Sequence, residues 1–472
     1  RSELRNGYGL VAPCQRSCPN ALQNTWQNSN TLNAPKGQVK NLKDPISAGF
    51  GLWCSFVLEW FRPFFPTQPN GDVVQWFQNP QANSTYRTAH RAVLNEQEAQ
   101  AAFQEISSWP GYAQTPLLNL PGLAAKVGVA SVQYKDEGGR FRLGSFKALG
   151  GAYAVYQHLA QKIAQHAGAA EITSAELASG KWRDLTKDWA VCCATDGNHG
   201  RSVAWGAQMF GCRCVIYLHE NVSPGREAAI AHYGAETHRM SGNYDDSVRQ
   251  AAEDAEQNGW TVISDTSYEG YTDIPRDVMH GYTVMVEESV RQLDGTLPTH
   301  ILVQGGVGGV AAAVFARFWW EFGGQRPNFV IVEPEQAACL YESARAGKWV
   351  QLTGNLDTVM AGLSCGEPSL LAWEILKDCV DGFLTLPDSA ALDAMRVLAA
   401  GVNGDVPVVA GESAVPGVSA LLEMAAHPDC APALGLNADS RILVFGTEGD
   451  SDPELYREIV GRTADEVRQV SA

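Results

Sequence analysis

The chain has 472 residues, 45% of them hydrophobic, and 35 Lys and Arg against 52 Asp and Glu give a formal charge of −17. Its length and apolar content suit a large soluble fold with extra pieces, while the acidity excludes a surface built for phosphate backbones, so nucleic acid is not an expected partner. No uncharged apolar stretch is long enough to cross a membrane; the nearest, 48–61, is short and carries Glu59.

The 11 cysteines are odd in number and scattered. They do not form a secreted disulfide framework, and no close pair has a second pair at zinc-finger spacing. With no signal-peptide pattern at the start, the expected location is the cytoplasm.

Residues 1–72 are rich in Asn, Gln and Pro and show no sustained period, so they are expected to be a poorly ordered N-terminal extension ahead of a catalytic domain at 73–472. From 73 onward short apolar runs alternate with amphipathic segments. The runs at 131–134, 189–194, 212–218, 261–264, 299–304, 329–333 and 441–446 read as buried strands. Helical patterns lie at 147–165, 199–210, 225–233, 244–258, 278–293, 308–323, 389–400 and 454–469. The polar segment 167–188 reads as a surface insertion. This alternation predicts an α/β fold with mainly parallel sheet, in which ligands gather beyond the carboxyl ends of the strands.

Four strand-to-helix junctions carry unusual residues. In RLGSFKALGG, Lys147 opens an apolar helix directly after Phe146. It is either a snorkelling surface lysine or a partly desolvated amine suited to a Schiff base. In ATDGNHG, residues 194–200, Thr195, Asp196 and Asn198 stand at a helix start. Such a start either caps the helix or binds an anionic group such as a substrate carboxylate. In VQGGVGG, the glycines Gly305, Gly306, Gly308 and Gly309 flank Val307 after a strand. Their backbone N–H groups can close around a phosphate, although a tight turn alone has the same look. In VFGTEGDSDP, Thr447 can offer a hydroxyl to a heteroaromatic nitrogen, and the acids after it are either a solvated loop or a cap for the last helix.

In this order, the four junctions resemble the threonine-dehydratase and tryptophan-synthase-β group of pyridoxal-phosphate enzymes, known as fold type II, over about 80–472. Within that group the stretches RFRLGSFKALGGAYA (140–154), ATDGNHG, DTSYEGY (265–271), AGLSCGEP (361–368) and TEGDSDP (447–453) are most similar to the diaminopropionate ammonia-lyases. The resemblance implies two open, mainly parallel sheets flanked by helices, with a small subdomain at about 145–260 inserted in a large one. It implies pyridoxal 5'-phosphate as cofactor, a small amino acid as substrate, a homodimer, and elimination of ammonia from 2,3-diaminopropionate to give pyruvate.

By the same resemblance Lys147, Asp196 and Asp265 are the expected catalytic residues. Lys147, Phe146, Asn198, Gly305, Gly306, Val307, Gly308, Gly309 and Thr447 hold the cofactor. Thr195, Asp196 and Asp265 bind substrate. Asp196 stands where serine and threonine dehydratases have a small or hydroxyl residue, and a carboxylate there favours a substrate bearing a second ammonium. No metal is expected: relatives with a divalent-cation site use Glu, a backbone carbonyl and Asp, and here Glu333 and Ala337 are followed by Cys339. The alternatives are a dehydratase of the same fold acting on serine, threonine or hydroxyaspartate, and a cofactor-binding protein without turnover.

Overall fold

The structure, a computed structural model, describes residues 74–168, 171–195, 197–242, 244–427 and 434–470. The extension expected at 1–72 lies outside the described residues.

Eleven strands are described: β1 (Gln75–Gln78), β2 (Leu117–Asn119), β3 (Ser131–Asp136), β4 (Ala190–Ala194), β5 (Arg213–Leu218), β6 (Glu236–Arg239), β7 (Thr261–Val262), β8 (His300–Gln304), β9 (Asn328–Pro334), β10 (Gly382–Leu386) and β11 (Arg441–Gly446). They form a seven-stranded sheet in the order β1-β10-β9-β8-β11-β3-β2 and a four-stranded sheet in the order β6-β5-β4-β7. All neighbours are parallel except the two edges of the larger sheet, where β1 runs against β10 and β2 against β3. The fold is therefore the α/β, two-sheet architecture of fold type II. Every residue of β8 and β10 is buried, as is all of β9 after its first residue. Continuous apolar runs are what strands covered on both faces require.

The four-stranded sheet is built from residues 190–262, between β3 and β8 of the larger one. Three long helices join the two parts: Ala148–Ala167, Asn198–Phe210 and Asp273–Gln292. The first packs on both of the others. Glycines allow the close crossing: a Cβ on Gly281 would lie 2.0 Å from the Leu149 carbonyl oxygen, and one on Gly150 2.4 Å from the Tyr282 ring.

A buried charged network fixes the start of this assembly. Lys135 Nζ and Arg140 Nη2 each lie 2.7 Å from Glu288 Oε2, Arg140 Nε lies 2.8 Å from Glu137 Oε2, and Thr115 donates to Glu137 at 2.6 Å. All four charged side chains are buried. Ions taken out of water are tolerable only with such mutual satisfaction. The result ties β3 and the loop leading to Lys147 to the helix Asp273–Gln292.

Some boundaries differ from the sequence reading. The helix expected from 278 begins at Asp273, because Pro275 falls in its first turn, where a missing N–H costs no intrahelical bond. The pattern at 454–469 is two helices, Pro453–Val460 and Ala464–Val470, separated at Gly461, which has φ of 78°. The polar segment 167–188 contains two short helices, Ser174–Ala178 and Arg183–Thr186. Among the described residues no helix is long and apolar enough to cross a membrane.

Candidate active site

Lys147 immediately precedes the helix Ala148–Ala167. Its turn is pinned from outside the helix: Phe146 N–H donates to the Thr447 carbonyl at 2.9 Å, Gly449 N–H donates to the Gly144 carbonyl at 2.9 Å, and Ser145 bridges Glu448. Two of the four junctions are thus one backbone-linked unit. Lys147 Nζ lies 2.5 Å from Asp265 Oδ2. Two aromatic rings face the same ammonium, Phe146 with its centroid at 5.3 Å and Tyr282 at 5.8 Å. Burial works against the lysine charge, but the Asp265 carboxylate outweighs it and holds Lys147 above the ordinary lysine range. Burial works against the carboxylate as well, and Lys147 holds Asp265 below the ordinary carboxylate range. The pair is charged and closely held in a mostly enclosed site.

His199 stands behind Asp265. Its Nε2 is 2.8 Å from the Ile263 carbonyl, and its Nδ1 is 3.9 Å from Asp265 Oδ2. A carbonyl accepts only, so Nε2 carries the proton of a neutral ring. Burial pushes His199 below the ordinary histidine range, which agrees with that form.

Thr195 is buried, and its hydroxyl oxygen accepts from the N–H groups of Gly197 at 3.0 Å and Gly200 at 3.1 Å. It shapes the start of the helix Asn198–Phe210, as a capping residue does. Asp196 lies outside the described residues. Asn198 Nδ2 donates to Glu448 Oε2 at 2.5 Å. Glu448 also accepts from the Ser413 N–H and the Ser451 hydroxyl, both at 3.0 Å. It is buried, not part of a solvated loop, whereas Asp452 caps the helix that follows. Thr447 is buried and accepts from Gln304 Nε2 at 2.5 Å, with the Ser413 carbonyl 3.3 Å from its hydroxyl.

The glycine turn closes β8 against the helix Gly309–Phe322. Gly306 and Gly308 have φ of 63° and 94°, which other residues adopt only with strain. A Cβ on Gly305 would lie 2.4 Å from the Glu333 side chain, and one on Gly308 2.8 Å from Leu376. The Val307 carbonyl is taken by the Ser369 N–H at 2.9 Å. The N–H groups of the helix's first turn have no intrahelical partner and point out of its start, where an anion is favoured. Gly309 brings this turn to the site, since its Cβ position is 3.8 Å from the Asp265 carbonyl oxygen and 3.9 Å from Tyr282. Behind it, Glu333 accepts from the N–H groups of Leu340 at 3.0 Å and Tyr341 at 2.7 Å, and the Cys339 thiol lies 3.4 Å from the Gly306 carbonyl. Both Glu333 oxygens are thus used to cap the helix Cys339–Ala346.

The structure therefore brings Lys147, Phe146 and Asp265 together, places Gly309 against Asp265, and links Asn198 to the Thr447 loop through Glu448. Sequence reasoning missed Tyr282, Gln304, Ser413 and the roles of His199 and Glu448. The first three lie in apolar or mixed stretches that read as core, and no local pattern sets them apart.

An amine beside an acid, a cradle of N–H groups shaped by left-handed glycines and a buried hydroxyl together fit pyridoxal phosphate. The comparisons agree. The protein family described as pyridoxal-phosphate dependent enzyme matches residues 108–448. The diaminopropionate ammonia-lyase of Salmonella typhimurium is 41% identical over 366 residues, covering 75% of this chain and 90% of the relative. The solved holo diaminopropionate ammonia-lyase of Escherichia coli is 37% identical, with a TM-score of 0.76, covering 82% of this chain and 97% of its own. The same Escherichia coli enzyme in complex with D-serine also has a TM-score of 0.76, at 36% identity, covering 83% of this chain and 98% of its own. The chain belongs to the family of pyridoxal-phosphate-dependent enzymes and, within it, stands with the diaminopropionate ammonia-lyases.

Proposed function

We propose that this chain eliminates ammonia from 2,3-diaminopropionate to give 2-aminoacrylate, which water then converts to pyruvate and a second ammonia. The observation that carries this reading is the Lys147–Asp265 pair, an amine and a carboxylate held 2.5 Å apart beside the glycine turn. The likeness to diaminopropionate ammonia-lyases over most of the chain supports the substrate.

Pyridoxal phosphate, when bound, supplies an electron sink for a negative charge at the substrate α-carbon. The chain does the rest. Lys147 Nζ takes the α-proton from one side, with Asp265 ready to stabilise the ammonium it becomes. Asp196, next to Thr195 in sequence, serves the other side, where it removes the α-proton of a D-substrate or delivers a proton to the departing β-amine. The N–H groups of Gly306, Val307, Gly308 and Gly309 would hold the phosphate, and Asn198 would be the partner for the ring hydroxyl. Thr447 would offer the ring nitrogen a neutral hydroxyl and no counter-charge, which suits elimination. Phe146 packs near the cofactor, and Thr195 with neighbouring N–H groups binds the substrate carboxylate.

The D-serine complex of the Escherichia coli relative supports a second reading, a hydroxy amino acid as substrate. Pyruvate release from L- and D-diaminopropionate, compared with L-serine, D-serine and L-threonine, decides between them. Fast release from either diaminopropionate alone is the expected result; preference for a hydroxy amino acid would keep the cofactor and replace the substrate. In the same assay Asp196→Asn is expected to slow the D-isomer more than the L-isomer, and equal loss would reject its facial role. The reading includes a cytoplasmic homodimer. Among the described residues, Cys192, Cys193, Cys212, Cys214, Cys339 and Cys379 are free thiols, in keeping with a reducing compartment. A sedimentation mass equal to one chain would remove the dimer.

A further inference from the structure

Asp265 and His199 meet in an unusual way. His199 Nε2 is committed as a donor to the Ile263 carbonyl at 2.8 Å, so Nδ1 presents a lone pair. That atom is buried and has no hydrogen-bond partner. It faces Asp265 Oδ2 at 3.9 Å, and that oxygen is an acceptor too. Two acceptors opposed across such a gap in a mostly enclosed site are unfavourable unless a donor sits between them. Two hydrogen bonds of about 2.8 Å leaving one nitrogen at a tetrahedral angle end on acceptors roughly 4.5 Å apart, close to the observed spacing.

The neighbouring walls suit a cation. Lys147 Nζ, itself a primary alkylammonium, rests on Asp265 Oδ2 at 2.5 Å with the Phe146 and Tyr282 rings at 5.3 and 5.8 Å. The Tyr282 hydroxyl is buried beside Lys147 as well. A carboxylate, an imidazole lone pair and aromatic faces together form a slot for a primary ammonium. When Lys147 gives up its charge, Asp265 loses its cation and the His199 Nδ1 lone pair still has no donor.

We infer that His199, through Nδ1, is a specificity residue that shares with Asp265 the β-ammonium of the diamino acid. The inference rests on the proposed function and deepens it. It explains selection for an ammonium over a hydroxyl: an ammonium can donate to both acceptors at once, whereas a hydroxyl has one proton and leaves the other acceptor unpaired.

The test replaces His199 in two ways. His199→Gln keeps a side-chain N–H for the Ile263 carbonyl and removes the acceptor at the Nδ1 position. His199→Asn keeps an acceptor near that position and loses the tie to Ile263. Binding to the holoenzyme is measured by cofactor absorbance with 2-methyl-2,3-diaminopropionate and 2-methylserine, which lack an α-proton and differ in amine against hydroxyl. The affinity ratio of amine to hydroxyl ligand is expected to fall about tenfold or more in His199→Gln, the scale of one hydrogen bond to a charged group, and much less in His199→Asn. A ratio unchanged in His199→Gln, or lowered equally in both variants, overturns the inference while leaving the proposed function intact. Failure of the wild-type enzyme to turn over diaminopropionate overturns both.

Discussion

Asp265 sets the state of the reactive lysine. Removing its charge as Asp265→Asn leaves burial as the main influence on Lys147, and burial disfavours the ammonium. The amine should then be neutral, and so reactive, at lower pH. The pH profile for uptake of pyridoxal phosphate by the apoprotein, followed by visible absorbance, is expected to move downward by about one unit or more. An unchanged profile would show that Asp265 does not control the lysine. The sequence carried the identities at this site better than their partnerships. Lys147, Asn198, Thr447 and the glycines stand in junction motifs, where type and order are informative. Glu448 looked like one acid among several, and only the fold turns it inward to Asn198 and the Ser413 N–H. Tyr282 sits in the middle of an amphipathic helix, where an aromatic residue ordinarily signals core, and nothing local shows that it faces an ammonium.

At the scale of elements, the position of Lys147 depends on a helix crossing that tolerates no added atom. Gly281→Ala would place a Cβ 2.0 Å from the Leu149 carbonyl oxygen, a backbone atom that cannot rotate away. The helix Ala148–Ala167 must then shift, and Lys147 with it. The expected result is a loss of about 1–3 kcal/mol in urea unfolding, typical of overpacking, together with weakened cofactor binding. Wild-type stability in that variant would mean that the crossing is looser than its geometry. Every strand read from the sequence contributes to a sheet, because long apolar runs such as 441–446 have one way to be buried on both faces. Four strands escaped. β1, β2 and β6 are short, partly exposed edge strands without a sustained pattern. β10 is fully buried, but only Val380 and Asp381 separate it from the helix Leu370–Cys379, so no loop marks its start. Gly461 hides in the opposite sense: one glycine within an amphipathic run is compatible with a helix until its left-handed backbone ends it.

For the molecule as a whole, acids partly or wholly withdrawn from water determine how stability responds to pH. Burial raises Asp136 to about 6, Asp277 to about 7 and Glu333 to about 8. Each binds its proton more tightly folded than unfolded, so its contribution is complete below the unfolded value of about 4 and is lost as pH rises through the folded one. Glu288 works the other way. Burial opposes its charge, but Arg140 and Lys135 hold it below the ordinary range, so its contribution fades only as pH falls below about 4. The unfolding free energy of the apoprotein is therefore expected to fall between about pH 5 and about pH 8. A flat or rising curve in urea titrations would mean that these carboxyls are ionised in the fold. The sheet margins carry a different consequence. Among the described residues, the outermost strands are four, three, four and two residues long, in β1, β2, β6 and β7. Those of the larger sheet also reverse its direction. A foreign strand arriving at any of these borders would find too few open backbone groups to continue the ladder. Growth by strand addition, the usual route from a parallel sheet to a fibril, is thus blocked by these short segments, of which the sequence pattern left β1, β2 and β6 unmarked.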